Sequence, residues 1–338
     1  MKILFCSYAF YPSVGGIESA AELLAAGFAK KGHEVKLVTA ALADKEDKNF
    51  PFEVIRRPHP AKLLSLVSWS NIVFHNNISL NLAWPLLFIR RPWAIIHQTW
   101  FRKPNGAIGL NNYFKRFAIK FATNIAVSQA VADDLGVSCE IILHPYDDSI
   151  FYQRKEIARQ KELAFVGRLV TDKGVDILLR ALKLLAECGQ TPHLTIIGDG
   201  PEKNNLQKLV KDLSLERQVV FSGVKKGSEL AEFLNEHKIL VVPSLWNEPS
   251  GGVAMEAIAC GCVVVGSQGG GLAVSIGPCG TTFPNGDKKA LADRLRELLS
   301  DDKLLASYRE NAAAHLAQHT VDATTERYLA IFRKISKQ

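Results

Sequence analysis

The second half of this chain repeats one unit: a short run rich in Val, Ile and Leu, then a stretch whose apolar residues recur at helical spacing. The runs are "ELAFVG", "HLTIIG", "VVFSG", "KILVVPS" and "CVVVGS", and between them the spacing predicts helices over 175–187, from about 203 to 213, and in "SELAEFLNEH". Near-continuous apolar strands, in place of alternating ones, belong to a parallel sheet covered on both faces, and regular alternation with helices supplies the cover. The start of the chain obeys the same rule. "KILFCSY" ends in the turn "YPSVGG", Ile17, Ala20, Ala21, Leu24 and Phe28 follow at helical spacing up to Gly32, and "HEVKLVTA" resumes as a strand.

A chain of 338 residues exceeds what one core usually organises, so two such domains are expected, of about 150 residues each. The division falls near "LHPYDDSIF", giving 1–148 as a first domain and 149–318 as a second. From Asp287 the chain reads as helical: "KKALADRLRELLSD", then Leu304 to Gln318, then "TTERYLAIFRKI" within 319–338, an amphipathic helix expected to pack back across the domain junction. The fold class is therefore α/β, two Rossmann-like doubly wound parallel-sheet domains facing one another across a cleft, with ligands at the carboxyl ends of the strands.

Composition removes several alternatives. Hydrophobic residues make up 47% and charged residues 22%, the balance of a soluble globular protein, not of a disordered chain or a disulfide scaffold. Cys6, Cys139, Cys188, Cys260, Cys262 and Cys279 lack the spacing of a zinc site, and Cys260 and Cys262 have no second pair to complete one. "MKILFCSYAF" is too short an apolar run for a secretory segment, and "SWSNIVFHNNISLNLAWPLLFIRRPW" is broken by Asn, His and Pro before it could span a bilayer. The expectation is a protein on the cytosolic side, peripheral to the membrane.

That last expectation comes from charge. The net charge is +7, and between Glu53 and Asp133 there is no acidic residue, against Arg56, Arg57, Lys62, Arg90, Arg91, Arg102, Lys103, Lys115, Arg116 and Lys120. In "NNYFKRFAIKFATNI" the helical period puts Phe114, Phe117, Ala118 and Phe121 on one face and Lys115, Arg116 and Lys120 toward the other. Such a helix either lies on an anionic membrane or is a core helix with a solvated basic side; the long absence of acid favours the membrane and a lipid-linked acceptor. No RNA-binding aromatic signature, helix-turn-helix or zinc finger accompanies the charge, so nucleic acid is not expected as a partner.

The chemistry concentrates in the second domain. In "FVGRLVTDKGVDILL", Arg168 and Lys173 flank the passage from a buried strand into a helix, where two cations and helix amides suit a diphosphate. "IIGDGPE" places Gly198 and Gly200 after the next strand, where bare backbone lets a ligand come close; its spacing is not that of a dinucleotide fingerprint. "NEPSGGVAMEAIACG" carries Glu248 in a loop, Ser250, Gly251 and Gly252 opening a helix with unpaired first amides, and Glu256 in the second turn. Two carboxylate oxygens there match the two hydroxyls of a vicinal diol such as a ribose. No Asp-x-Asp pair stands in a metal-binding setting, so no metal is expected.

"GRLVTDKG", "IIGDGPE", "PSLWNEPSGGVAMEAIACG" and "GGIESAAELLAAGFAKKGHEV" together resemble the retaining glycosyltransferases of family 4, the glycosyl transferases group 1 class with the GT-B fold. By that resemblance Glu248 holds the donor hexose, Glu256 the ribose, and Arg168 and Lys173 the diphosphate. Gly167, Gly198, Gly200, Gly223, Val224, Ser250, Gly251, Gly252 and Val253 belong to the same nucleotide-sugar site. Gly15 and Gly16 close over the donor from the first domain, and His97 in "AIIHQTW" matches an active-site histidine. The chain departs from the family at Ser250, usually aromatic, at His144, commonly Asn, and after His97, where an Asp often follows. The implied reaction moves a hexose or N-acetylhexosamine from a UDP sugar to a saccharide or lipid-linked acceptor in cell-envelope polysaccharide or lipopolysaccharide synthesis, with configuration kept. A nucleotide-sugar 2-epimerase of similar fold and a non-catalytic nucleotide-sugar-binding protein are the alternatives.

Overall fold

A computed structural model describes residues 1–13, 15–42, 48–102 and 109–337; Lys103 of the basic series and Val14 of the first turn lie outside the described residues. The chain divides into two units, Met1–Tyr146 with His319–Gln338, and Asp147–Gln318.

The first unit is built on a seven-stranded parallel sheet. Its strands are β1 (Lys2–Ser7), β2 (Glu34–Thr39), β3 (Glu53–Arg56), β4 (Ile72–Asn76), β5 (Trp93–His97), β6 (Thr123–Ala126) and β7 (Cys139–Ile141), in the order β3-β2-β1-β4-β5-β6-β7. The sequence of β1 shows why both faces are covered. Ile3 and Phe5 enter one core with Leu24 and Phe28 of the helix Gly16–Lys30, while Leu4 and Cys6 enter another with Leu63, Leu66 and Val67 of the helix Pro60–Trp69. A strand of period two that is apolar at every position must have a layer on each side.

The second unit repeats the plan with six parallel strands: β8 (Lys161–Val166), β9 (Leu194–Ile197), β10 (Val219–Phe221), β11 (His237–Val242), β12 (Val263–Ser267) and β13 (Gly280–Phe283), ordered β10-β9-β8-β11-β12-β13. The helix Val175–Glu187 has the bounds its apolar period gives. The single helix expected from Leu304 to Gln318 is instead two, Asp302–Glu310 and Ala312–Leu316. Asn311 interrupts it, with its side-chain amide donating to the carbonyls of Pro278 and Ser307. Among the described residues no helix is long and apolar enough to cross a membrane.

The helix Leu110–Ala118 and the tight turn Ile119–Phe121 correct one expectation. The aromatic and basic faces are separate, as the period requires, but Lys115 and Arg116 are half-buried and Tyr113, Phe114, Phe117 and Phe121 are 59–70% exposed. Arg116 donates to the Asp134 carbonyl at 2.5 Å, and Asn112 to the Phe101 carbonyl at 2.6 Å, so hydrogen bonds hold the polar face inward. Of the three cations assigned to a membrane, only Lys120 is exposed.

The helix Val321–Ile335 completes the first unit. Thr325 sits over Gly27, where a Cβ would lie 2.2 Å from its Oγ1, and this close approach brings Tyr328 and Phe332, both fully buried, onto Phe28 and Phe74 with ring centroids 5.1–6.3 Å apart. Lys31 pairs with Asp322 at 2.7 Å and Glu326 at 3.1 Å along its edge. Phe332→Ala should therefore cost about 3–5 kcal/mol of stability. Thermal denaturation should show a lowered first transition, and an unchanged melting curve would remove the helix from the core.

Candidate functional site

The order of the second sheet fixes where a ligand can enter. The chain runs from β8 outward to β9 and β10, then returns past β8 to β11, so the direction of winding reverses between β8 and β11. The loops leaving the carboxyl ends of those two strands diverge, and the crevice they leave is the binding position of such sheets. Arg168 and Lys173 follow β8; Ser244 and Glu248 follow β11.

The two loops are joined through backbone. Leu245 and Trp246 N–H groups donate to the Asp172 carbonyl at 2.9 and 3.2 Å. Gly174, at φ 65°, approaches so close that a Cβ would stand 2.1 Å from the Pro243 carbonyl oxygen. This junction sets Lys173 Nζ 2.6 Å from Glu248 Oε1, the ammonium 25% and the carboxylate 14% exposed. Ser244 Oγ donates to the same oxygen at 2.6 Å and is itself buried. A charge-assisted contact held from both sides leaves the carboxylate little freedom of rotamer. Sequence reasoning gave Lys173 and Glu248 separate ligands and passed over Ser244. The missed signal was a hydroxyl ending an apolar strand, four residues before a carboxylate.

Glu248 is fixed by its main chain as well. Its carbonyl accepts from the Gly271 N–H at 2.6 Å, and it bridges in parallel to Gly270, where φ is 77°. The glycine pair that follows divides its roles. Gly251 N–H donates to Ser275 Oγ at 3.0 Å, and a Cβ there would lie 2.7 Å from Leu272, so its amide is taken and its smallness serves packing. Gly252 has no such neighbour within 4 Å and leaves the first turn of the helix Gly252–Ala259 open beside Val253. Ser250 Oγ is buried without a partner. Glu256, half-buried in the second turn, has its carboxyl pushed up to about 7, first by burial and then by the negative charge of Asp147. It forms no ion pair among the described residues.

Arg168 is exposed and free of ion pairs among the described residues. Gly198 and Gly200 are needed for a reason other than ligand approach: Cβ atoms there would stand 1.9 and 2.4 Å from the carbonyl oxygens of Gly167 and Leu169, so they let the turn after β9 nest against the turn after β8. Gly223, at φ 69°, has open space around it, and Val224 is 54% exposed.

The first sheet reverses between β1 and β4, and its strand ends there are polar and buried. Asn76 donates to Ser7 Oγ at 2.9 Å and to the Ile17 carbonyl at 3.1 Å, and accepts from Gln98 Nε2. Asn77, at φ 56°, accepts from the Gln98 N–H. His97 ends β5 with no exposed surface; its Nε2 donates to Asn124 Oδ1 at 2.9 Å, and burial lowers its pKa to about 4. The Asn124 amide donates to the carbonyls of Ile119 and Ala122, which leaves its oxygen as the acceptor and fixes the ring as the neutral Nε2–H form. The expected active-site histidine is thus an enclosed, uncharged group at a strand end. Gly15 and Gly16 open the helix Gly16–Lys30, and nothing lies within 4 Å of a Cβ built on Gly16. Asn76 and Gln98 were not singled out in the sequence, although each is a polar residue closing an apolar strand.

Residues 148–315 match the family model described as glycosyl transferases group 1. The D-inositol 3-phosphate glycosyltransferase of Corynebacterium jeikeium is 33% identical over 186 residues, 52% of this chain and 44% of that protein, so the chain spans less than half the length of this relative. The N-acetyl-alpha-D-glucosaminyl L-malate synthase of Bacillus anthracis is 25% identical over 345 residues, 89% of each chain. Among solved structures, Anabaena HepE in complex with UDP superposes with a TM-score of 0.82 at 20% identity, covering 99% of this chain and 100% of that one. Sucrose-phosphate synthase from Thermosynechococcus elongatus gives 0.81 at 18% identity over 99% and 98%. At such identities the likeness speaks for the fold, that of the GT-B glycosyltransferases. That family model places the second unit, residues 148–315, in the glycosyl transferases group 1 family, and the chain over its length has the GT-B fold.

Proposed function

We propose that this chain is a retaining glycosyltransferase that moves a hexose or N-acetylhexosamine from a UDP-linked donor to a saccharide or lipid-linked acceptor in cell-envelope polysaccharide synthesis, working at an anionic membrane surface. The observation that carries the reading is the Lys173–Glu248 pair, locked by Ser244 at the point where the second sheet reverses. A cation pre-set there, with Arg168 exposed in the same loop after β8 and free of ion pairs among the described residues, needs no reorganisation when a diphosphate leaves, and each such contact is worth ~2.7–4 kcal/mol at the transition state. These cations do the work a metal would otherwise do, so none is required. UDP as the nucleotide is supported by Anabaena HepE, solved with UDP and with UDP-glucose.

Glu248 has one carboxylate oxygen committed to Lys173 and Ser244, which leaves Oε2 to accept from a sugar hydroxyl. A carboxylate engaged in this way is a binding group, unlike the paired acid and nucleophile of a retaining glycosidase, which stand about 5–5.5 Å apart across the bond. Substitution then proceeds on one face of the sugar. The C1–O bond to the phosphate breaks, the acceptor oxygen bonds to C1, and the acceptor's proton passes to the departing phosphate oxygen. Glu256 accepts from the two ribose hydroxyls. His97, neutral and enclosed, is given no proton to carry.

Three measurements follow from this assignment. A panel of nucleotide sugars assayed with and without a lipid-saccharide extract should give acceptor-dependent UDP release and an α-linked product from an α-linked donor; a β product rejects the mechanism, and acceptor-independent release rejects transfer. Arg168→Ala combined with Lys173→Ala should lower kcat about a hundredfold or more, and turnover at the parent rate would sink the electrostatic assignment. Glu256 must be ionised to accept two hydroxyl protons, yet its pKa is raised from the ordinary 4.5 to about 7. UDP affinity measured by calorimetry should therefore rise as pH increases through about 7, and be weak and flat with pH in Glu256→Gln. Without ligand the sign is opposite: Glu256 stabilises the fold fully below 4.5 and loses that contribution as pH rises through about 7.

A further inference from the structure

The helix Leu110–Ala118 is built inside out. Its outward arc of about 100° carries Tyr113, Phe114, Phe117 and, in the turn that follows, Phe121, exposed by 59, 61, 65 and 70%. Its inward side carries Asn112, Lys115 and Arg116, and the fully buried Ile119 opens the turn that follows. Burial lowers the Lys115 pKa, and Arg116 Nε is enclosed without a partner. Water as the sole solvent favours the reverse arrangement, since four aromatic rings gain far more from burial than two cations do. An outward apolar row of this extent marks an interaction surface.

The charge around the row selects its partner. No acidic residue occurs from 54 to 132, and Lys120 is exposed at the edge of the arc. The nearby acids stand on the helix Gln129–Leu135. Asp134 is answered by Arg102 at 3.3 Å and by the N–H groups of Phe101 and Arg102, while Asp133 accepts from Gln129. Apolar rings bordered by the exposed Lys120, within a stretch whose charged residues are all basic, fit the boundary between the headgroups and acyl chains of an anionic bilayer. Resting on the membrane reading above, we propose that Tyr113, Phe114, Phe117 and Phe121 insert into anionic phospholipid. The aromatic row, not the cations the sequence picked out, makes the contact, and Lys120 adds attraction to the headgroups.

The test compares the full chain with a Phe114→Ser/Phe117→Ser/Phe121→Ser variant in flotation with vesicles of phosphatidylcholine alone and of phosphatidylcholine with phosphatidylglycerol. The parent should float with the anionic vesicles only. The variant, its UDP binding intact, should partition at least about tenfold more weakly. Should the triple variant fold poorly, Phe117→Trp gives a second reading: its emission should shift to the blue and be quenched by bromine-labelled acyl chains beyond the parent's own response. Equal flotation of parent and variant overturns insertion by the aromatic row while leaving the membrane reading standing. A parent that floats with neither vesicle overturns both. A parent that is dimeric without vesicles, beside a monomeric variant, assigns the row to contact between copies and overturns the proposal.

Discussion

A strand paired in parallel on both sides and covered on both faces meets solvent only at its ends. That constraint governs this chain. β1 spends every position from Ile3 to Ser7 on burial, and β11 every position from Ile239 to Val242. Polar function is left to the residues just past the strands, and topology decides which of these can share a ligand. Where the winding reverses, two loops diverge, and the chain's charged residues of interest stand there.

The electrostatics at that position are economical. An isolated ammonium and carboxylate, each only partly exposed, would both suffer from lost hydration; paired at 2.6 Å they compensate one another, and the Ser244 hydroxyl fixes the geometry. Incoming phosphate does not have to recruit a cation from solution. Glu256 does the opposite: burial first, and then the negative charge of Asp147, hold its proton more tightly than usual. The carboxyl end of one sheet thus presents a prearranged positive group and an acid whose charge is conditional.

Much of this was legible in the residues alone. The strand runs, the helix Val175–Glu187, the parallel class and the placing of Arg168 and Lys173 after β8 and of Glu248 after β11 follow from periodicity and from glycine and carboxylate placement. What was not legible depends on contacts between segments distant in sequence. Nothing in "IIGDGPE" says that its glycines nest against Gly167 and Leu169, since the carbonyls that require them lie thirty-one residues upstream. The Gly251 amide is likewise claimed by Ser275, twenty-four positions on. For the basic helix the period separated two faces correctly, but a period cannot say which face turns inward. Hydrogen bonds from Asn112 and Arg116 to the carbonyls of Phe101 and Asp134 hold that choice.

The position of the helix Val321–Ile335 carries a consequence for biosynthesis. Phe28 and Phe74 are covered by Tyr328 and Phe332, which leave the ribosome only after the entire second unit has been made. The unit begun first is thus the one completed later, and throughout elongation its aromatic core lacks one wall. A nascent chain in that state offers a sticky surface to chaperones and to its neighbours on the same message, while the unit made second can close as soon as it emerges.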